Sequence, residues 1–146
     1  VIGMKMDAFK RSFFDSKRVM SAVDGATRRV LSRFGAFVRR RARSSIRKRK
    51  RISRPGEPPS SHVGLLRRGI LFGYDTARQS VVIGPMRLNQ RSAEAPPLLE
   101  YGGQTRRRDR RGRSELLTYR ARPYMGPAFE AEKPGLPALW RDSVRR

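Results

Sequence analysis

The chain has 146 residues, 37% of them hydrophobic, with 35 Lys and Arg against 12 Asp and Glu and a formal net charge of +23. That length predicts one domain with a modest core, and that charge narrows the partners to polyanions or strongly acidic protein surfaces, because a monomer of mostly one sign repels itself. The absence of cysteine excludes disulfides, thiolate metal sites and cysteine nucleophiles together.

Val1-Ile2-Gly3-Met4 lacks the order of a secretory signal, and no apolar run approaches the ~18 residues of a membrane span, so a soluble protein is expected. Residues 1–15, with Met4, Met6, Phe9, Phe13 and Phe14, read either as a short strand or arm or as an extra helical turn. From there Val19, Val23, Ala26, Val30, Phe34, Val38, Ala42 and Ile46 recur every three or four positions. This spacing predicts a long basic helix over 16–50, on the order of 50 Å in length, with Asp15 or Ser16 as its cap and a bend or close packing contact near Gly35.

Arg54-Pro55-Gly56-Glu57-Pro58-Pro59 must end the helix, and a stiff Pro-rich loop is expected over 51–69. Ile70–Tyr74 and Ser80–Gly84 are β-rich runs around the turn Asp75–Gln79 and predict a hairpin. Pro85–Pro97 reads as mainly irregular. Pro96–Tyr101 reads as a short helix with proline at its start and Gly102-Gly103 past its end. The run Arg106–Arg113 fits the tip, 104–114, of a second hairpin leading into Leu116–Tyr119, within a sheet region spanning 70–125. Over 126–146 two helical pieces are broken by Pro134 and Pro137, with Leu136, Leu139, Trp140 and Val144 on the packed face; full burial of Trp140 would make its truncation cost about 3–5 kcal/mol. The expected fold class is α+β: a long N-terminal helix packed on a small, mostly antiparallel sheet, with short C-terminal helices, all in one domain over 1–146.

Material for catalysis is thin. The single histidine, His62, lies beside Ser60 and Ser61 in the Pro-rich loop with no third group to orient a nucleophile–base pair, so a turn-stabilising role is expected. Glu94, Glu100, Asp109 and Glu115 match no metal-binding spacing, and no phosphate-binding loop, dinucleotide fingerprint or paired zinc motif occurs. The sequence therefore predicts no enzyme, no metal, no cofactor and no small-molecule substrate.

The charge is concentrated. Ten basic residues stand among the sixteen from Arg39 to Arg54, namely Arg39, Arg40, Arg41, Arg43, Arg47, Lys48, Arg49, Lys50, Arg51 and Arg54. A second block comprises Arg106, Arg107, Arg108, Arg110, Arg111 and Arg113. Basic residues at a helix C-terminus offset the macrodipole, but that accounts for two or three of them. The rest fit sequence-independent contact with phosphates of double-stranded DNA, or docking on acidic proteins. Neither block has interleaved aromatics for single-strand stacking, and no recognition-helix pattern for base readout is present.

Three motifs in order carry a resemblance: Arg54-Pro55-Gly56-Glu57-Pro58-Pro59 leading to His62-Val63-Gly64-Leu65-Leu66-Arg67-Arg68-Gly69-Ile70; Leu98-Leu99-Glu100-Tyr101-Gly102-Gly103; and Ala121-Arg122-Pro123-Tyr124-Met125-Gly126-Pro127-Ala128. From about Leu31 to Val144 the chain resembles the neck, head–tail joining or tail-completion proteins of long-tailed bacteriophages. It departs from them at Val63, where Thr is common, at Gly69, and in the strongly basic Arg106–Arg113 insertion.

The resemblance implies a non-enzymatic virion protein, assembled in the host cytoplasm. It would form a homo-oligomeric ring between head-completion or connector proteins and tail-tube or tail-terminator proteins, around a channel for double-stranded DNA. The motif residues Pro58, Pro59, His62, Gly64, Glu100, Tyr101, Gly102, Arg122, Pro123, Tyr124, Met125 and Pro127 are the expected interface or folding positions. Tyr124 and Met125 suit core packing, with anchoring of a neighbouring subunit as the other role. A free, sequence-independent nucleic-acid-binding protein is the alternative; a nuclease has little residue support.

Overall fold

A computed structural model describes residues 16–86, 95–108, 112–141 and 143–144. The readings of 1–15 as a strand, arm or extra turn, and those placed on Glu94, Asp109, Arg110 and Arg111, lie outside the described residues. Helix α1 spans Ser16–Ser45, followed by the one-turn helix α2 (Leu65–Arg68), strands β1 (Ile70–Asp75) and β2 (Ser80–Pro85), and helix α3 (Ala95–Tyr101). Strands β3 (Gly103–Arg108) and β4 (Ser114–Tyr119) come next, then α4 (Met125–Glu132), a 3-10 turn over Lys133–Gly135 and α5 (Leu136–Trp140). The fold is α+β, with one long helix, antiparallel strand pairs and short C-terminal helices.

α1 ends at Ser45, five residues before the expected Lys50. The hydroxyls of Ser44 and Ser45 donate back to the carbonyls of Arg41 and Ala42, each at 2.8 Å, diverting acceptors at the helix end. Beyond them, adjacent charges from Arg47 to Arg51 would repel one another on a continued helix. The chain instead runs extended, and Arg47 forms an isolated parallel bridge with Ser60 of the Pro-rich loop.

The core follows the predicted stripe over its middle and end. Phe34, Val38, Ala42 and Ile46 of α1 are buried with Leu66 of α2, Ile70 of β1, Tyr124 and Ala128. Phe34 also meets Phe129 edge-on, with ring centroids 5.7 Å apart. At the start of the stripe Val19 and Val23 are each 43% exposed. Trp140 (39% exposed) and Val144 (53%) likewise fall outside the packed face assigned to them; Leu136 and Leu139 alone of that set pack against the core.

The strands form two separate two-stranded hairpins instead of one sheet. In the first, Phe72 pairs with Ile83 and Tyr74 with Val81, and the hairpin lies on α1 at Gly35. There a Cβ would come within 2.7 Å of Val81 Cγ2 and 3.0 Å of Phe72 Cδ2, so a close contact, not a bend, explains this glycine. In the second, Arg106 pairs with Leu116 and Arg107 with Glu115, and most residues of both strands are exposed. A strand reading Gln-Thr-Arg-Arg-Arg has no apolar face with which to join the first hairpin, so it stands off as an arm.

Candidate functional site

Two sets of predicted site residues come together in different ways. The three resemblance motifs, far apart in sequence, meet through backbone and side-chain hydrogen bonds. The Gly56 N–H donates to the Ala121 carbonyl at 2.9 Å, and Arg122 Nε donates to the Ser53 carbonyl at 3.1 Å, tying the Pro-rich loop to the segment before α4. The Arg122 N–H donates to the Leu99 carbonyl at 2.6 Å, tying that segment to α3.

Glu100 completes the knot. Its Oε2 accepts the backbone N–H groups of Tyr124 (2.9 Å) and Met125 (3.0 Å), and its Oε1 accepts that of Gly126 (2.7 Å). Pro127 has no N–H, so one carboxylate satisfies every orphan donor at the start of α4, where a negative charge is also favoured by the macrodipole. A Cβ on Gly126 would approach Glu100 Oε1 to 3.1 Å. Gly102 sits at φ +75 with Ala121 N and Tyr119 O each 3.0 Å from any Cβ, which is why the turn after Tyr101 requires glycine.

Within this knot Tyr124 is buried and Met125 packs against the core, in line with the first of the two roles expected for them. Burial first, and the nearby Glu100 charge second, push the Tyr124 phenol well above its ordinary range. Pro59 and Gly64 are buried, Pro58 and Pro123 half-buried, and Tyr101 and Pro127 exposed. Gly64 adopts φ +79 just before α2. His62 is exposed, and among the described residues no group of three or more His, Cys, Asp or Glu side chains converges to hold a metal.

The first basic block divides by function in the fold. Arg39 Nε donates to the Ile70 carbonyl at 2.8 Å, Arg41 pairs with Glu132, and Arg49 Nε donates to Ser60 Oγ at 2.9 Å with Glu57 at 3.8 Å. Arg39 and Arg41 hold the helix to β1 and α4, and Arg49, beyond the helix end, ties the extended segment to the Pro-rich loop. Arg40, Arg47, Lys48, Lys50 and Arg51 are exposed, and Arg43 is half-buried. The guanidinium of Arg40 lies 5.1 Å from the Phe37 ring centroid and that of Arg33 lies 5.7 Å from it.

Open grooves line this end of α1. One, of about 460 Å³, is bordered by Phe37, Arg39, Arg40, Arg43, Ser44 and Arg67. Another, of about 400 Å³, includes Arg47, Arg49, Glu57 and Pro58, and a smaller one of about 200 Å³ includes Arg49, Arg51, Arg54 and Glu57. Arg67 was absent from the sequence-based set, since nothing in the pattern places a loop residue beside a helix face thirty residues earlier. In the second block Arg106, Arg107 and Arg108 are exposed on β3, and Arg113 is exposed just before β4.

The chain matches no family model, no curated protein and no solved structure. No helix among the described residues is long and apolar enough to cross a membrane.

Proposed function

We propose that this chain is a non-enzymatic subunit of a homo-oligomeric ring at the neck of a long-tailed bacteriophage, joining head-connector proteins to the tail around the DNA channel. The observation that supports it is the meeting of the three motifs that carry the resemblance. They are joined in one hydrogen-bonded knot around Glu100 and Arg122 and so act as one structural unit.

Subunit character has further support in surface left without a partner among the described residues. Val19, Met20 and Val23 form an exposed apolar band on α1, and Leu71, Val82, Leu116 and Tyr101 are exposed on and beside the hairpins. Two-stranded hairpins are marginal by themselves, and neighbours in a cyclic ring would cover such faces. The high positive charge is relieved in the same setting by DNA or by acidic rings above and below.

The test is assembly. Purified protein, alone and mixed with head-connector and tail-terminator proteins, should give a closed ring by light scattering and negative-stain imaging, and that ring should persist at high salt. A chain that stays monomeric in both settings while binding DNA at low salt would be a free nucleic-acid-binding protein, the second reading, favoured by the arginine-lined grooves.

A further inference from the structure

Three grooves among the described residues lie along the basic run from the end of α1 into the Pro-rich loop, and they differ in one respect that matters to an anion. Two contain the Glu57 side chain, whose carboxylate repels phosphate. The groove beside Phe37 has four arginines on its walls and, among the described residues, no acidic one.

Two of its arginines are also held in place before any ligand arrives. The Nε of Arg39 is engaged by the Ile70 carbonyl, which fixes the guanidinium plane and leaves the two terminal nitrogens to donate. Arg40 rests over Phe37. Arg67 comes from α2, so the site spans two elements and does not depend on one flexible run of side chains. Planar, pre-oriented guanidinium forks match phosphate oxygens and lose less freedom on binding than mobile lysines. The arm, by contrast, carries Arg106, Arg107 and Arg108 on an exposed hairpin with little behind it.

We infer that the groove formed by Arg39, Arg40, Arg43 and Arg67 around Phe37 seats the phosphate backbone of duplex DNA, and that Arg106, Arg107 and Arg108 of the arm are not the principal DNA contact. The duplex as ligand rests on the channel assignment above. Among the described residues Phe37 is the one aromatic on the groove wall, and the guanidiniums of Arg33 and Arg40 lie over its ring and compete with an unpaired base for stacking there. An acidic protein segment is the competing occupant, and a polyglutamate peptide of equal charge tests for it.

The experiment is anisotropy of a short labelled duplex of arbitrary sequence, titrated over a range of salt. Arg40→Gln/Arg43→Gln/Arg67→Gln should lower the slope of log K against log salt by about 2 to 3 and weaken binding on the order of 100-fold near ~0.1 M salt, as loss of three phosphate contacts requires. Arg67→Gln alone, which leaves α1 untouched, should lower the slope by about 1. Arg106→Gln/Arg107→Gln/Arg108→Gln should stay within about twofold of the parent, on the same principle that sites making no phosphate contact leave the slope unchanged. Circular dichroism melting of each variant keeps folding and binding apart.

A parent that binds duplex while the groove variants keep its full slope overturns the groove assignment, as does an equal loss in the arm variant. Tighter, groove-dependent binding of a polyglutamate peptide of equal charge overturns the choice of DNA. A parent that binds no duplex at low salt overturns the groove and the DNA contact together. Ring mass, measured in the same samples without DNA, reports on the ring assignment separately.

Discussion

The carboxylate of Glu100 accepts the backbone N–H of Tyr124 at 2.9 Å, joining the end of α3 to the start of α4 across twenty-four residues of sequence. Since the same carboxylate also takes the N–H groups of Met125 and Gly126, no other group is needed at that helix end. Glu100→Ala should therefore destabilise by about 2–3 kcal/mol, from three charge-assisted bonds of which water replaces part. Glu100→Gln, which keeps an acceptor but not the charge, should cost about 1 kcal/mol. Urea midpoints of both variants check this; equal losses would mean that shape and not charge holds the knot.

Tyr124 predicts an alkaline limit to stability. Its folded-state pKa is raised above the ordinary 10.0, chiefly by burial and then by Glu100. The unfolded chain thus releases a proton above about pH 10 that the folded chain retains, so stability from this group is constant below pH 10 and falls beyond it. The fall should approach about 1.4 kcal/mol per pH unit, and Tyr124→Phe should remove that component. Denaturant midpoints at pH 9, 10 and 11 for the two proteins provide the comparison.

Two glycines in α1 should respond to alanine with opposite signs. At Gly25 the nearest atom to a new Cβ is Arg29 Nη1 at 3.4 Å, an ordinary contact with a flexible end, so Gly25→Ala should stabilise by about 0.5–1 kcal/mol through helix propensity. At Gly35 the Cβ would meet Val81 Cγ2 at 2.7 Å, and the first hairpin must shift. Gly35→Ala should destabilise by about 1–2 kcal/mol net of the same propensity gain. Thermal melts of the pair would show whether the hairpin lies on α1 as described.

Truncations of Ile70 and Trp140 should separate core from surface. Ile70 is 0% exposed, and Ile70→Ala should cost about 2–5 kcal/mol. Trp140→Ala should cost no more than about 1–2 kcal/mol, well below the 3–5 kcal/mol that full burial implies, because the ring keeps much of its exposure in the fold. A larger loss at Trp140 than at Ile70, measured by chemical denaturation, would reverse the assignment.

The arm predicts an absence of effect on folding. Replacing Arg106, Arg107 and Arg108 with Ser should leave the melting temperature within about 2 °C, since surface changes away from packed features stay within about 0.5 kcal/mol. A cooperative loss of structure would show that the arm packs on the body.

Much of the fold was legible because its signals are local. The three-four spacing from Ala26 to Ile46 is set by helix geometry, and the apolar runs on either side of Asp75–Gln79 mark the first hairpin, whose register the structure supplies. Gly102-Gly103 marked the end of α3 because only glycine accepts the positive φ angles found there. The end of α1 was misplaced because Ile46 continues the stripe in space while the backbone has already left the helix. Trp140 and Val144 were misjudged because helical spacing says which residues share a face but not whether anything covers it.

The functional surface shows the same division. The sequence by itself determined the amount and placement of charge, the glycine and proline positions, and the motifs that carry the family resemblance, all of which depend on residue identity and short-range geometry. Only the tertiary structure decided which arginines hold the molecule together and which remain to meet a partner. Arg39, Arg41 and Arg49 read as members of one basic run, yet carbonyl and carboxylate partners from β1, α4 and the Pro-rich loop engage them. The side chain of Arg67 reaches the same groove as Arg40 and Arg43 because α2 packs against α1, and contacts between segments distant in sequence leave no periodic trace in the chain.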